Sequence, residues 1–468
     1  MTQLARFTEG NLMRHVVTMS ATSSVGLIAV FFVDLVDMFF ISLLGNQALA
    51  AAVGFAGAIS FLLMSFSIAI GIATGALVAR ALGQGDAKRA QEVRTHVFAA
   101  GLIVMILVTV LAWFNLGILT QLVGARGETQ ELAIRYLSII IPSLPLMMLG
   151  MGGGAILRAH GDAARSMVAT LSAAGANAIL DPILIFAVGL GLDGAAIATV
   201  VSRFVMAFMG LYPVIKHHGG FAPLQMKAFR KDLSTIWAIA FPATLTNLAT
   251  PVGSAFVTRV ASEFGEQAVA GMAIIGRLTP VAFGLIFALS GAVGPILGQN
   301  YGAKLYDRVR KAFSDAVIFT AVYTVFIVGV LWACRGFIAD AFGAEAEARD
   351  LVFLFCGPLS LAWFFNGVIF IGNAAYNNLG HPFYSTWVNW GRNTIGTIPF
   401  VWYGSVWFGP EGVLAGQLFG GVFVAALSWW LAYRVFDRIA LEGVPNLRGP
   451  AFGVETKAMR LFHMRRGG

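Results

Sequence analysis

The stretch VVTMSATSSVGLIAVFFVDLVDMFFISLL, residues 16–44, decides the fold class. At 1.5 Å per helical residue it is long enough to cross a hydrocarbon core about 30 Å thick. It is too long for the apolar core of a signal peptide and carries two aspartates, so it reads as a retained membrane span rather than a cleaved leader. Those aspartates are Asp34 and Asp37, one helical turn apart. A third, Asp181, lies in another apolar stretch, as Asn177-Ala-Ile-Leu-Asp181-Pro182. A carboxylate at mid-membrane depth costs about 2.5–3.5 kcal/mol on insertion scales, so one that is kept marks an ion, proton or substrate path.

Composition extends the reading to the whole chain. Hydrophobic residues make up 58% and charged residues 12%, with a mean hydropathy of +0.79. Soluble domains carry about 25% charged residues, so a soluble core is excluded. The net charge of +8 sits in loops between apolar runs and does not indicate a nucleic-acid partner. Cys334 and Cys356 lie in or beside apolar segments, form no disulfide or metal framework, and read as small buried hydrophobes.

Twelve apolar stretches are long enough to span, at about 16–44, 49–79, 96–122, 132–157, 166–188, 194–215, 233–261, 268–297, 312–339, 350–376, 384–406 and 412–436. Placing both termini in the cytoplasm gathers Arg80, Lys88, Arg89 and Arg94 on that side. The same side takes Lys227, Arg230 and Lys231, then Lys304, Arg308, Arg310 and Lys311. Arg126, Arg259, Arg335 and Arg349 remain for the other, which is the positive-inside asymmetry.

The halves repeat at an offset near 218 residues. Gly45-Asn-Gln-Ala-Leu-Ala matches Gly265-Glu-Gln-Ala-Val-Ala, and Leu82-Gly-Gln matches Leu297-Gly-Gln. Leu157-Arg-Ala-His-Gly161 falls on Tyr376-Asn-Asn-Leu-Gly380, and Gly194-Ala-Ala-Ile-Ala on Gly412-Val-Leu-Ala-Gly. Six spans per repeat put both in one orientation, related by an axis along the membrane normal. The expected fold is therefore an all-α integral membrane protein. Its twelve transmembrane helices form two pseudo-symmetric six-helix bundles around a central cavity. Residues 1–215 form the N-terminal lobe, 216–232 a cytoplasmic linker, 233–437 the C-terminal lobe and 438–468 a basic cytoplasmic tail.

Other motifs narrow the function. Gly150-Met-Gly-Gly-Gly154 lacks the Lys-Ser/Thr ending of a phosphate loop and lies at membrane depth, so close helix packing is the better reading. No Walker A sequence occurs in the chain, so ATP does not drive it directly. No nucleophile set or HExxH metal motif converges, so an enzyme is not expected, nor any cofactor. Pro142 and Pro145 predict a bent fourth span, and Pro182 a kink beside Asp181. Arg203, Arg277 and Arg392 lie in spans, where arginine usually snorkels or pairs; Arg203 is a secondary site candidate through an N-lobe acid, as is Asp34. His160 and His381 lie in loops. Met147, Met148, Met151 and many of the 38 phenylalanines serve either core packing or an adaptable cavity. Trp387, Trp390, Trp402, Trp407, Trp429 and Trp430 look like interfacial anchors.

The motifs carry a family resemblance over about residues 10–436. Val36-Asp37-Met-Phe-Phe-Ile-Ser-Leu-Leu-Gly45-Asn-Gln-Ala-Leu-Ala, Leu157-Arg-Ala-His-Gly161-Asp162, Asn177-Ala-Ile-Leu-Asp181-Pro182 and Gly194-Ala-Ala-Ile-Ala-Thr199, in that order, resemble the MATE (multidrug and toxic compound extrusion) transporters. The resemblance implies twelve helices in two lobes and export of organic cations in exchange for protons or sodium. Where the NorM-like branch has C-lobe acids, this chain reads Asn247-Leu-Ala-Thr250 and Asn366-Gly-Val368. It is thus more similar to the DinF-like branch, whose carboxylates cluster in the N-lobe. That resemblance implies Asp37, Asn177, Asp181 and Thr199 as the coupling-ion cluster.

Physical chemistry suits those four residues to the role. Asn177 and Asp181 share one helix face at a spacing of four. Pro182 frees a backbone carbonyl nearby, and Thr199 offers a hydroxyl. Two carboxylates held close in low dielectric cannot both ionise cheaply, so the pair should keep a proton and titrate as a unit. The same oxygens suit sodium as a hard cation. Proton coupling is favoured, with a sodium site at Asp37, Asn177, Asp181 and Thr199 left open. The expectation is a monomeric, multi-pass inner-membrane antiporter in contact with lipid, conferring antimicrobial resistance by multidrug efflux of lipophilic, often cationic, compounds. A sodium-coupled exporter and a lipid flippase are the alternatives.

Overall fold

The computed structural model describes residues 5–45 and 47–442, and among these every regular element is helical. The N-terminal lobe comprises α1 (Leu12–Ser42), α2 (Gln47–Gly83), α3 (Ala87–Phe114), α4 (Leu116–Leu122), α5 (Gly127–Ile140), α6 (Leu144–Ala159), α7 (Ala163–Pro182) and α8 (Leu192–His217). The C-terminal lobe comprises α9 (Met226–Ser262), α10 (Glu266–Ala282), α11 (Gly284–Gly302), α12 (Tyr306–Ala341), α13 (Ala346–Phe355), α14 (Trp363–Leu379), α15 (Pro382–Asn393) and α16 (Ile398–Glu442).

Nine helical stretches among the described residues are long and apolar enough to cross a membrane, ten if the bent pair α10–α11 is one span. One of the nine, Pro382–Leu441, runs 60 residues, about 90 Å if straight, and it doubles back. Gly409 takes φ 60° and ψ −142°, a conformation open to glycine, and the limbs on either side run antiparallel. Gly396 lies against the backbone of Gly420, Phe400 against Gly416, and Gly404 against Gly412, so close that a Cβ at any of these glycines would strike the opposing main chain. In lipid there is little hydrophobic drive between helices, and small residues that admit close backbone contact supply the packing. With this hairpin counted as two passes, and with α9 included, the passes reach the expected twelve. α9 is not among the nine, and its middle carries Thr244, Thr246, Asn247 and Thr250.

Several expected spans are broken helices. The third ends at Asn115, whose side-chain amide donates to Leu111 O at 2.8 Å, and α4 follows. The eighth bends by 43° between α10 and α11, three residues after Pro280. The tenth is split by the 3₁₀ turn Pro358–Ala362. Pro142 sits in the 3₁₀ turn Ile141–Ser143 between α5 and α6, Pro145 in the first turn of α6, and Pro182 directly before the π turn Ile183–Ala187. Each is a place where a missing N–H is tolerated or the ladder gives way. The linker expected over 216–232 shrinks to the segment between His217 and Met226, because α8 and α9 both extend into it. The tail begins later than expected, since α16 continues to Glu442; residues 443–468 lie outside the described residues. Cys356 is buried as expected, whereas Cys334 is exposed on α12.

The Gly-rich run of α6 packs as its composition suggests. Gly150 and Gly153 admit α8 at Met206 and Gly210, and Gly152 admits the ring of Phe98. The lobes exchange their leading helices. Phe7, Leu12, Val16 and Met19 join the C-lobe core, while Phe229, Ile236, Ile239 and Ala240 at the start of α9 join the N-lobe core.

Repeat symmetry also explains how the lobes meet. The matching motifs Leu82-Gly-Gln and Leu297-Gly-Gln lie at the ends of α2 and α11, and these ends cross. Gly83 abuts the backbone of Gln299, Gly302 that of Arg80, and Gly298 the Ala79 methyl. Hydrogen bonds lock the crossing. Phe7 N–H donates to Gln299 Oε1 at 2.8 Å, Gln299 Nε2 to Ala159 O at 2.7 Å and Asn300 Nδ2 to Phe7 O at 3.0 Å. Arg308 donates to the carbonyls of Phe7, Glu9 and Gly10, and Arg80 to Asn378 O at 3.0 Å, with its guanidinium 4.6 Å from the Tyr301 ring centre. Nearby, Asp232 of α9 accepts from Arg89 at 2.5 and 2.9 Å and meets His96 Nδ1 at 2.5 Å. This is the end that carries the basic loops. The lobes are sealed there.

Candidate ion-coupling site

α1 and α7 both start at the basic end, run side by side, and carry their acids near their far ends. Asp37 lies 25 residues into α1, about 37 Å from its start. The Asn177 amide joins the two helices. Its Nδ2 donates to both oxygens of Asp37 at 2.9 Å and to Asp181 Oδ2 at 3.0 Å. The two carboxyls are themselves within hydrogen-bonding reach. Asp181 is 0% exposed, and its Oδ1 has no hydrogen-bond partner among the described residues; Asp37 is half-buried. An unpaired buried carboxylate oxygen beside a second carboxyl is tolerable when a proton or cation joins them.

Local sequence makes this arrangement. The spacing of four puts Asn177 and Asp181 on one face of α7. The π turn after Pro182 ends the helix at the acid, and Val188 N closes it onto Ile183 O at 2.8 Å. Gly194 lets the start of α8 press against the backbone of Leu184 and Ile185, which fixes the α7–α8 approach.

The remaining sequence candidates divide. Thr199 does not touch the acids. Its hydroxyl donates to Ala195 O at 3.1 Å, one turn back, and is hydrogen-bonded with the Tyr136 hydroxyl. Tyr136 stands in α5 within electrostatic reach of Asp37, Asp181 and Arg203, so it links Thr199 to the pair. Sequence reasoning missed Tyr136, because a tyrosine flanked by Arg135 and an apolar run reads as an interfacial anchor. Arg203 makes no ion pair with an N-lobe acid among the described residues. Its Nη1 donates to Ile140 O at 2.8 Å and Ser143 Oγ at 2.9 Å, tying α8 to the bend between α5 and α6. Asp34 is exposed and within electrostatic reach of Asp37, but the Asn177 amide bonds Asp37 and Asp181 and not Asp34.

A second ionic group lies at the basic end, away from the site. Asp162 caps α7 through Arg165 N at 3.3 Å and accepts from Arg165 Nη1 at 2.5 Å and His218 Nε2 at 3.1 Å. Burial opposes its ionisation, but these bonds outweigh burial and hold the carboxyl down at about 2. His160 packs 4.4 Å from His218 between ring centres. Burial pushes its imidazole down to about 4, against the bond to Ile156 O. Among the described residues no three His, Cys, Asp or Glu converge as a metal-binding group.

The chain's relatives agree with this architecture. The MatE family model matches residues 23–183 and again 242–402, once in each lobe. The FAD transporter of Shewanella oneidensis is 28% identical over 437 residues, covering 91% of this chain and 95% of that protein. Multidrug export protein MepA of Staphylococcus aureus is 22% identical over 453 residues, covering 96% and 99%. The crystal structure of a mutant of the Vibrio cholerae MATE transporter VcmN superposes with a TM-score of 0.87 at 25% identity, over 95% of this chain and 99% of that one. A MATE in complex with MaL6 gives 0.87 at 22% identity, over 94% and 99%. Two matched repeats that together span more than half the chain, laid over two lobes of membrane-length helices, make this protein a member of the MatE family: a multi-pass membrane transporter and not an enzyme.

Proposed function

We propose that the protein is a proton-coupled antiporter of the inner membrane, of the DinF-like branch, with both termini cytoplasmic, that exports lipophilic, often cationic, compounds by alternating access. The observation that carries the coupling assignment is the Asn177 nitrogen within 3.0 Å of both carboxyls. It supplies hydrogen-bond donors where a sodium ion would need oxygens. A proton shared between Asp37 and Asp181 completes the network; its loss leaves two charges facing each other, which draws in a cationic cargo or drives the helices apart. The π turn and Pro182 give α7 a ready place to bend, and the pair lies on the side of the molecule remote from the sealed end. Protons arriving from outside would neutralise the pair, release cargo outward and let the lobes close.

MepA, named for multidrug export, supports this cargo class. The FAD transporter supports a second one, since it covers nearly the same length at higher identity, and FAD is a large aromatic anion. The deciding experiment is efflux from proteoliposomes under an imposed pH gradient and, separately, a sodium gradient. Export driven by the pH gradient alone is expected. Export that needs sodium and ignores pH would replace the proton with sodium.

A further inference from the structure

The polar side chains inside the C-lobe mostly satisfy one another. Asn389 Nδ2 donates to Asn373 Oδ1 at 3.0 Å, Ser385 Oγ to Asn377 Oδ1 at 3.3 Å and Thr386 Oγ1 to Pro242 O at 2.8 Å. Arg392 differs from these in carrying a full charge. It lies ten residues into α15, about 15 Å from the basic end, and it is half-buried. Its Nη1 donates to Asn366 Oδ1 at 2.6 Å, and its guanidinium carbon stands 5.7 Å from the centre of the Phe370 ring. Among the described residues it forms no ion pair. A cation at that depth with only an amide for company lacks its counter-charge.

Its surroundings suggest what supplies that charge. Phe370 stands 5.5 Å from Phe287, which stands 5.6 Å from Trp363 and 6.0 Å from Phe31 of the opposite lobe. The four rings therefore run from the guanidinium to the seam between the lobes, and all four are half-buried. Trp363 Nε1 is a buried donor with no partner among the described residues. Planar rings, an unsatisfied indole N–H and a guanidinium fork are the parts that recognise an aromatic compound bearing a phosphate or carboxylate. Repeat symmetry sharpens the point. α15 is the counterpart of α7, so the helix that bears Asp181 in one lobe bears an arginine in the other, about two turns nearer the basic end.

We propose that the C-lobe holds a separate substrate site, centred on Arg392, for the anionic group of a planar aromatic compound. Asn366 positions the guanidinium, and Phe370 and Phe287 hold the ring system. The site rests on the export reading only in supposing that cargo enters the seam between the lobes.

The test uses the full-length protein purified in nanodiscs and two probes that differ by one phosphate, riboflavin and FMN, followed by flavin fluorescence. FMN should bind about tenfold or more tightly than riboflavin, as one or two charge-assisted hydrogen bonds allow, and the difference should shrink with added salt. Arg392→Gln should reduce FMN affinity to that of riboflavin while leaving riboflavin unchanged, and Arg392→Lys should fall between. Asn366→Asp, which gives the guanidinium a carboxylate of its own, should abolish the preference even where Arg392→Gln does not fold. Equal affinities in the wild type overturn the proposal. So does an Arg392→Gln variant that loses both probes alike, because that marks a packing role. Binding is read at equilibrium without a gradient, so this result stands apart from whichever ion drives export.

Discussion

Replacing Gln299 with leucine should open the basic end of the molecule. The Gln299 side chain is 0% exposed and spans the seam, taking the N–H of Phe7 at 2.8 Å and giving its own N–H to Ala159 O at 2.7 Å. Leucine fills a similar volume but strands both backbone groups inside the seal. A buried group left without its partner costs about 1–3 kcal/mol. Once the lobes part, water satisfies the same groups, so the penalty falls on the closed state alone. Two such groups shift the closed–open equilibrium by about 2–6 kcal/mol, or roughly 30- to 20,000-fold toward opening. Spin labels at Lys88→Cys and Lys311→Cys, in a background of Cys334→Ser and Cys356→Ser, would report the distance between lobes at that end. Both lysines are exposed, one in each lobe. The wild type should give a short distance and Gln299→Leu a dominant longer one. An unchanged distribution in a monodisperse, normally melting variant would show that these bonds do not hold the seal, and the reasoning would fail.

Asp37→Asn keeps the shape of the Asn177 network but removes one of the two proton sites. A pH difference of one unit sustains about tenfold accumulation per exchanged proton, so the one proton shared by Asp37 and Asp181 bounds the wild-type ratio near tenfold when no potential acts, and removing either carboxyl ends the sharing. Asp37→Asn and Asp181→Asn should each bring substrate accumulation in proteoliposomes to about one and abolish resistance in a pump-deficient host, with protein still in the membrane. Stability should fall as pH drops from about 6.5 to 4. The unfolded chain takes up the His160 proton over that window, whereas the folded imidazole, facing His218, Arg94 and Asp162, refuses it until about 4. His160→Gln should remove up to about 1.4 kcal/mol per pH unit of that slope in thermal unfolding. Gly420→Leu should prevent α16 from closing on Gly396 and lose most of the folded protein by fluorescence-detected size exclusion. Gly421→Ala, which meets nothing within 4 Å, should be silent in the same assay.

Much of this was legible in the linear chain, for identifiable reasons. An aspartate inside an apolar run stands out because lipid penalises it wherever the chain folds, so Asp37 and Asp181 could be singled out before any contact was known. Asn177 followed from its spacing of four. Thr199 could be named but not placed, because a helical hydroxyl chooses between a carbonyl four residues back and a neighbouring helix, and only the packing of α5 against α8 brings Tyr136 to it. Arg203 and Arg392 carry the same composition-level signal. One ties a helix to a bend through a carbonyl and a hydroxyl; the other meets one amide and an aromatic ring.

Hydropathy, charge asymmetry and internal repetition by themselves determined that the chain crosses the membrane in two related sets of helices and which acids it keeps at depth, because transfer into lipid is a property of each residue and its near neighbours. The tertiary structure alone decided where helices break, that α16 folds back at Gly409, and that the two Leu-Gly-Gln copies meet each other at the sealed end. Those outcomes depend on backbones approaching to contact distance across hundreds of residues, and no local preference encodes which glycine will face which.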